Sequence, residues 1–198
     1  MARLYDMPSK AQWNRLIAAT LLLGCMWIAL TRAEVGVIRS VMQSVVISPP
    51  ADAPPAARVG ARAPTFTLTT TDGRSVALED LRGMVVLVNI WATWCPPCRA
   101  EMPAMQASYA HYRDQGFVVL AINQREDLAT VHSFVKDRGL AFPILLDTDG
   151  RVGAAYQASA LPSSFFIGRD GTVRVVYRGP LPRGVIDATV EGLLGEDR

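Results

Sequence analysis

Residues 84 to 92, MVVLVNIWA, form a run in which Asn89 is the single polar residue. A strand with one wet face alternates apolar and polar side chains. This run offers no face to water, so it reads as a central strand covered on both sides. Both covers have to come from elsewhere in the chain, and the pattern supplies them. FVVLAIN, 117 to 123, is a second buried strand, and FPILLD, 142 to 147, a short third one. Helical segments alternate with these strands. One is expected from about 96 to 114, ending at Gly116 and kinked at Pro103. DLATVHSFVKDRG reads as a second helix, with Asp127 as N-cap and Gly139 as its stop. DGRVGAAYQ reads as a turn and short helix. GVIDATVEGLLG is a closing amphipathic helix with Val185, Ile186, Val190 and Leu193 or Leu194 near one stripe. TFTLTTTDGRSVAL is a hairpin signal, Phe66/Leu68 and Val76/Leu78 alternating across TDG. SSFFIG, 163 to 168, and TVRVVYRG, 172 to 179, flank RDG and give another. The expected class is α/β, a sheet with helices on both sides.

Half of the 198 residues are hydrophobic, enough for a core without structural metals or many disulfides. Twenty basic residues against 18 acidic ones leave a net charge of +2, and no dense Lys/Arg tract argues for nucleic acid. The N-terminal part has a different character. LIAATLLLGCMWIALT, 16 to 31, carries no charge and follows Arg3, Lys10 and Arg15, opposed by Asp6 alone. An apolar run behind basic residues is an export or anchor signal with its basic end in the cytoplasm. Sixteen helical residues rise about 24 Å against a hydrocarbon core of about 30 Å, a gap that Thr31, Arg32 and AEVGVI could close by snorkelling. TRA is a poor cleavage site, which favours an uncleaved single-pass anchor. LLLGC resembles a lipobox, with Cys25 as the acylated residue, but the apolar run continues past it through MWIAL. Otherwise Cys25 is a small hydrophobe facing lipid. Every version places residues beyond about 33 outside the cytoplasm. VGVIRSVMQSVVI, 35 to 47, continues apolar, and SPPADAPPAARVGARAP, 48 to 64, is a semi-rigid Pro/Ala spacer. The expected organisation is a tail and anchor or signal segment at 1–33, a spacer at 34–59 and a folded domain at 60–198.

The remaining cysteines, Cys95 and Cys98, lie in WATWCPPCRAEMP. Three readings compete. Zinc would use Cys95, Cys98 and His111, but a fourth ligand should follow within a few residues, and the next histidine is His132. A static disulfide closing so short a loop stabilises little. A reactive pair explains the context better. Cys95 falls where a buried strand meets a helix, so unpaired backbone N–H groups and the positive end of the helix dipole favour its thiolate. Pro96 and Pro97 suit the first helical turn. Cys98, one turn on, can attack Cys95 and release whatever Cys95 has captured.

WATWCPPCRAEMP resembles the active-site segment of the thioredoxin superfamily, and more narrowly that of the membrane-tethered TlpA/ResA-like thiol–disulfide oxidoreductases. The similarity spans about residues 60 to 195 and includes VNIWATWCPPC, FPILLDTDG and LPSSFFIGRDGTV. It implies a thioredoxin-like fold with an N-terminal β-hairpin extension, and an inserted helix and strand between Cys98 and Pro162. It implies Cys95 as nucleophile, Cys98 as resolving thiol and Pro162 as the family's cis-proline. The backbone of Leu161 would pair with a client chain. Trp94 and Pro96 are the other substrate-facing candidates, with Trp91 in the core. Plain thioredoxins carry a buried acid where this chain has Asn89. ResA-like proteins carry one at the position of Glu101, which is then the expected proton carrier. A solvated helix charge, or a partner for Arg99, is the alternative for Glu101. The resemblance implies no cofactor and no metal. It implies client protein disulfides as partners, among them apocytochrome c CxxCH motifs or copper-oxidase assembly factors. Electrons would come from a transmembrane thiol carrier, and the domain would face the periplasm from the inner membrane. A peroxiredoxin-like redoxin is the alternative on the same fold, but it needs threonine three residues before its cysteine, where this chain has Ala92. A copper-carrying assembly protein is the non-enzyme alternative, and it prefers a wider cysteine pair plus a histidine.

Overall fold

A computed structural model describes residues 57–136 and 138–196. The expected anchor, Cys25 and most of the spacer lie outside the described residues. Among the described residues, no helix is long and apolar enough to cross a membrane.

Seven strands form one sheet: β1 (Thr67–Thr70), β2 (Ser75–Ala77), β3 (Val85–Trp91), β4 (Phe117–Gln124), β5 (Ile144–Asp147), β6 (Ser163–Ile167) and β7 (Val173–Arg178). Their order is β2-β1-β5-β4-β3-β6-β7. β3, β4 and β5 run parallel, while the hairpin β1–β2 and the pair β6–β7 are added antiparallel at the two sides. The helices are α1 (Pro96–Tyr112), α2 (Leu128–Lys136), α3 (Arg151–Ala155) and α4 (Arg183–Gly195). The thioredoxin-like fold is present. α2 and β5 supply the extra helix and strand between Cys98 and Pro162.

All seven residues of β3 are buried, and the pleat divides them. Leu87 and Trp91 join Met102 and Met105 of α1 and Ile186 and Val190 of α4 in one core. Val86, Val88 and Ile90 join Val152, Tyr156, Leu78 and Ala63 in the other. Ala57 is buried in that second core too, its N–H 3.4 Å from the Ala155 carbonyl, so the chain is already packed at the first described residue. The continuous apolar run is therefore the sum of two alternating faces.

Element ends follow local chemistry. Asp127 caps α2 by accepting from the Thr130 N–H at 2.8 Å. α1 stops at Tyr112, two residues earlier than its pattern suggests. The chain tightens into a 3-10 turn at Arg113–Gln115 before Gly116, whose φ of 94° releases it toward β4. β5 begins at Ile144 rather than 142, because Pro143 has no N–H for the ladder.

Asp147, fully buried at the end of β5, accepts from the Val152 N–H at 3.1 Å and the Gly153 N–H at 2.8 Å, and so anchors α3. Replacing Asp147 with Ala leaves both buried donors unpaired. It should cost about 2–3 kcal/mol in urea unfolding.

Candidate functional site

The site lies where β3 runs out. The strand ends at Trp91, Ala92 is buried, and the Cys95 N–H returns to the Ala92 carbonyl at 3.2 Å. Cys95 is the N-cap of α1, with extended backbone at φ −87° and ψ 106°. Pro96 and Pro97 occupy the first two helical positions. Neither has an N–H, so the first amide the helix can present is that of Cys98, and it donates to Cys95 Sγ at 3.3 Å. This narrows the expected cluster of amides to one donor in contact with the sulfur. Cys95 and Cys98 are joined as a disulfide with their Cα atoms 5.3 Å apart. Cys98 is fully buried and Cys95 is 3% exposed.

Glu101 follows Cys98 by three residues on α1 and is 3% exposed. Its Oε1 accepts from Asn89 Nδ2 at 2.8 Å, and its Oε2 accepts from the Leu181 N–H at 2.6 Å. Glu101 is thus neither a solvated helix charge nor the partner of Arg99. Burial pushes its carboxyl up to about 7, against the smaller downward pulls of the Leu181 and Asn89 hydrogen bonds. Asn89 Nδ2 also lies 3.0 Å from Ser164 Oγ. The asparagine that cannot titrate is the residue that holds the acid.

Pro162 is buried, and the Leu161–Pro162 peptide is cis. β6 starts at the next residue, and Ser163 pairs with Ile90 of β3. That register carries Pro162 to the strand end that also delivers the cysteines. Leu161 is half-buried, and among the described residues its backbone makes no hydrogen bond. Trp91 is fully buried, whereas Trp94 is 68% exposed. Trp94 and Leu161 line one groove of about 670 Å³, completed by Gln124, Arg125 and residues of and after α3. Pro96 is exposed beside Cys95 and is not part of that lining. His111 and His132 are exposed, and among the described residues no group of three or more His, Cys, Asp or Glu side chains could hold a metal ion.

One carboxylate at the site was not anticipated. Glu126 accepts from the Thr93 N–H at 2.7 Å, from Thr93 Oγ1 at 2.5 Å and from Asn123 Nδ2 at 2.7 Å. It clamps the turn that carries Trp94 and Cys95. The available signal was the pairing of two parallel buried strands. Trp91 lies opposite Asn123, so the residues just past both C-terminal ends must meet.

The chain matches the AhpC/TSA family over residues 59–176. It is 42% identical to the thiol–disulfide oxidoreductase ResA of Bacillus subtilis (strain 168) over 127 residues, 64% of this chain and 71% of that protein. It is 38% identical to ResA of Geobacillus kaustophilus (strain HTA426) over 138 residues, 70% of this chain and 79% of that one. Among solved structures, it superposes with a TM-score of 0.67 and 31% identity on one assigned to a thiol:disulfide interchange protein DsbE from Chlorobium tepidum, covering 71% of this chain and all (100%) of that one.

Glu101 gives the site a pH signature. Its folded pKa of about 7 lies above the ordinary value of 4.5, so the folded state holds the proton more tightly than the unfolded chain does. Its contribution to stability is then complete below about pH 4.5 and is lost as pH rises through about 7, by up to about 3 kcal/mol. Urea unfolding from pH 4 to 8 should show that decline, and Glu101→Gln should flatten it.

Proposed function

Because the chain belongs to the AhpC/TSA family, and within the thioredoxin superfamily is a ResA/TlpA-like protein-disulfide oxidoreductase, we propose that it reduces disulfides of client proteins outside the cytoplasm. The observation that carries this reading is the sulfur at the helix start. Cys95 Sγ accepts from the Cys98 N–H, one turn from a buried carboxyl held near neutrality.

In the reduced protein, the Cys95 thiolate attacks one sulfur of a client disulfide. A mixed disulfide forms, and the client's other sulfur leaves as a thiolate. Cys98 then attacks Cys95 Sγ, which expels the client's second thiolate. The protein ends as the Cys95–Cys98 disulfide, the client as a dithiol, and two electrons have passed. Cys98 must lose a proton for its attack. Glu101, three residues along the same helix, is the group to receive it. Each of its oxygens keeps a lone pair beyond the hydrogen bond that holds it. Once charged, Glu101 opposes further negative charge on either sulfur and so raises both thiol pKa values. The exposed Trp94 and the unpaired backbone of Leu161 flank the position a client segment would take.

Reduction as the net direction requires a donor that returns two electrons to the disulfide. A transmembrane thiol carrier is the proposed source, and apocytochrome c CxxCH motifs or copper-oxidase assembly factors are the proposed clients. The apolar run at 16–31 behind Arg3, Lys10 and Arg15 supports an inner-membrane anchor with the domain on the periplasmic side.

Two measurements test the reading. Cys98→Ser removes the resolving thiol, so it should accumulate mixed disulfides on Cys95 that mass spectrometry can identify. Recovery of no such adduct, with insulin reduction unchanged in Cys95→Ser, would overturn the mechanism. Titration of the reduced protein should place Cys95 below the free-cysteine value of about 8.5. Glu101→Gln should lower both thiol pKa values and slow release of the mixed disulfide by about a hundredfold.

A further inference from the structure

The groove beside the cysteines is built around a cation that the proposed mechanism does not use. Among the described residues, two that are not glycine sit in the left-handed backbone region, Arg125 at φ 61° and Gln157 at φ 51°. Both line this groove. Such a conformation is unfavourable for a residue with a Cβ, and it concentrates at functional sites. The Arg125 N–H donates to the Asp147 carbonyl at 2.9 Å, which fixes the backbone there. The floor is cleared for the side chains that cover it. A Cβ on Gly150 would overlap Nε of Arg125, and one on Gly153 would overlap the amide of Gln124. The two glycines thus leave room for a guanidinium and an amide against the start of α3, in the groove that Trp94 also lines.

Arg125 is the sole charged residue in the lining of this groove. Its guanidinium makes no hydrogen bond or ion pair among the described residues. The carboxylates around it are engaged elsewhere. Glu126 holds Thr93 and Asn123, Asp147 holds the amides of Val152 and Gly153, and Asp149 pairs with Arg151. The N–H donors of Arg125 form a planar fork that is unpaired among the described residues, a geometry that fits a carboxylate.

We infer that Arg125 is a specificity-determining residue, and that the preferred clients carry an aspartate or glutamate close in sequence to the cysteine that Cys95 attacks. The inference rests on the disulfide-reductase reading and adds the client's chemistry to it. The client segment lies along the groove with its attacked sulfur at Cys95. Its carboxylate meets the Arg125 guanidinium, with the Gln124 amide as a second donor. Apolar or aromatic side chains of the segment cover Trp94. Since Arg125 is exposed, the pair is partly solvated and salt must weaken it.

The test uses the full chain, reduced with dithiothreitol and freed of it, so that each molecule supplies two electrons once. Disulfide-linked peptides are identical except for Glu, Gln or Lys, moved one position at a time on both sides of the attacked cysteine. At one or two positions the Glu peptide should react about 5- to 10-fold faster than the Gln peptide at low salt, and the advantage should shrink at 1 M NaCl. Arg125→Gly, which suits the left-handed backbone, should bring that ratio to about one. Arg125→Lys should keep most of it, and Arg125→Glu should transfer the advantage to the Lys peptide. Equal rates for Glu and Gln at every position overturn the inference and leave the reductase reading standing, as does a ratio that survives in Arg125→Gly. Failure to reduce any peptide sinks the reductase reading, and the inference with it.

Discussion

A strand buried on both faces has to end, and where Val85–Trp91 ends the chain must pass from a dry core to water within four residues. The next element is a helix, whose first amides have no carbonyl partners. Two prolines remove two of those amides and pre-set the backbone, leaving the Cys98 N–H as the donor in contact with the Cys95 sulfur. The same two residues that make the helix start inexpensive thus decide which atom meets its dipole. Because the strand is clamped in both cores, the sulfur's position is set by the whole domain and not by the loop that bears it.

Two carboxylates stand by this strand end, and their surroundings give them different work. Glu101 is buried with two neutral donors and, among the described residues, no cation against it, so removal from water outweighs its hydrogen bonds, and its proton is held to about pH 7. Glu126 accepts a backbone amide, a hydroxyl and a side-chain amide, and all three tie the Thr93 turn to the end of β4. One acid keeps its proton up to about neutral pH, and the other holds the turn that carries Cys95.

The parts legible in the sequence were those governed by short-range pattern. The runs at 84–92 and 117–123, the TDG and RDG turns and the Asp127 cap each depend on neighbours within a few residues. The CxxC with its two enclosed prolines is local in the same way, and so is the i, i+3 placement of Glu101. Its burial was not legible, because Leu181 lies 80 positions away and reaches Glu101 through the loop before α4. Asn89 looked inert for the same reason, since its partners Glu101 and Ser164 arrive from a helix and a third strand. Glu126 is not legible although β3 and β4 both are, because the register that sets Trp91 against Asn123 is not written in either strand alone. The composition of GAAYQ says nothing of a groove. The glycines at 150 and 153 matter only once β4 has brought Gln124 and Arg125 over them.

The depth of the sulfur also bears on which disulfides can react. At 3% exposure in the disulfide state, the Cys95 sulfur lies just beneath the surface, so a partner's disulfide has to be presented to it. Thiolate attack requires a near-linear approach of three sulfurs, which a disulfide buried in a finished core cannot offer. What surrounds Cys95 is suited to the opposite kind of client. An exposed indole, a Leu161 backbone unpaired among the described residues and a groove of about 670 Å³ match an extended segment that still has its own backbone groups to satisfy. Ordering such a segment costs entropy that these contacts must offset.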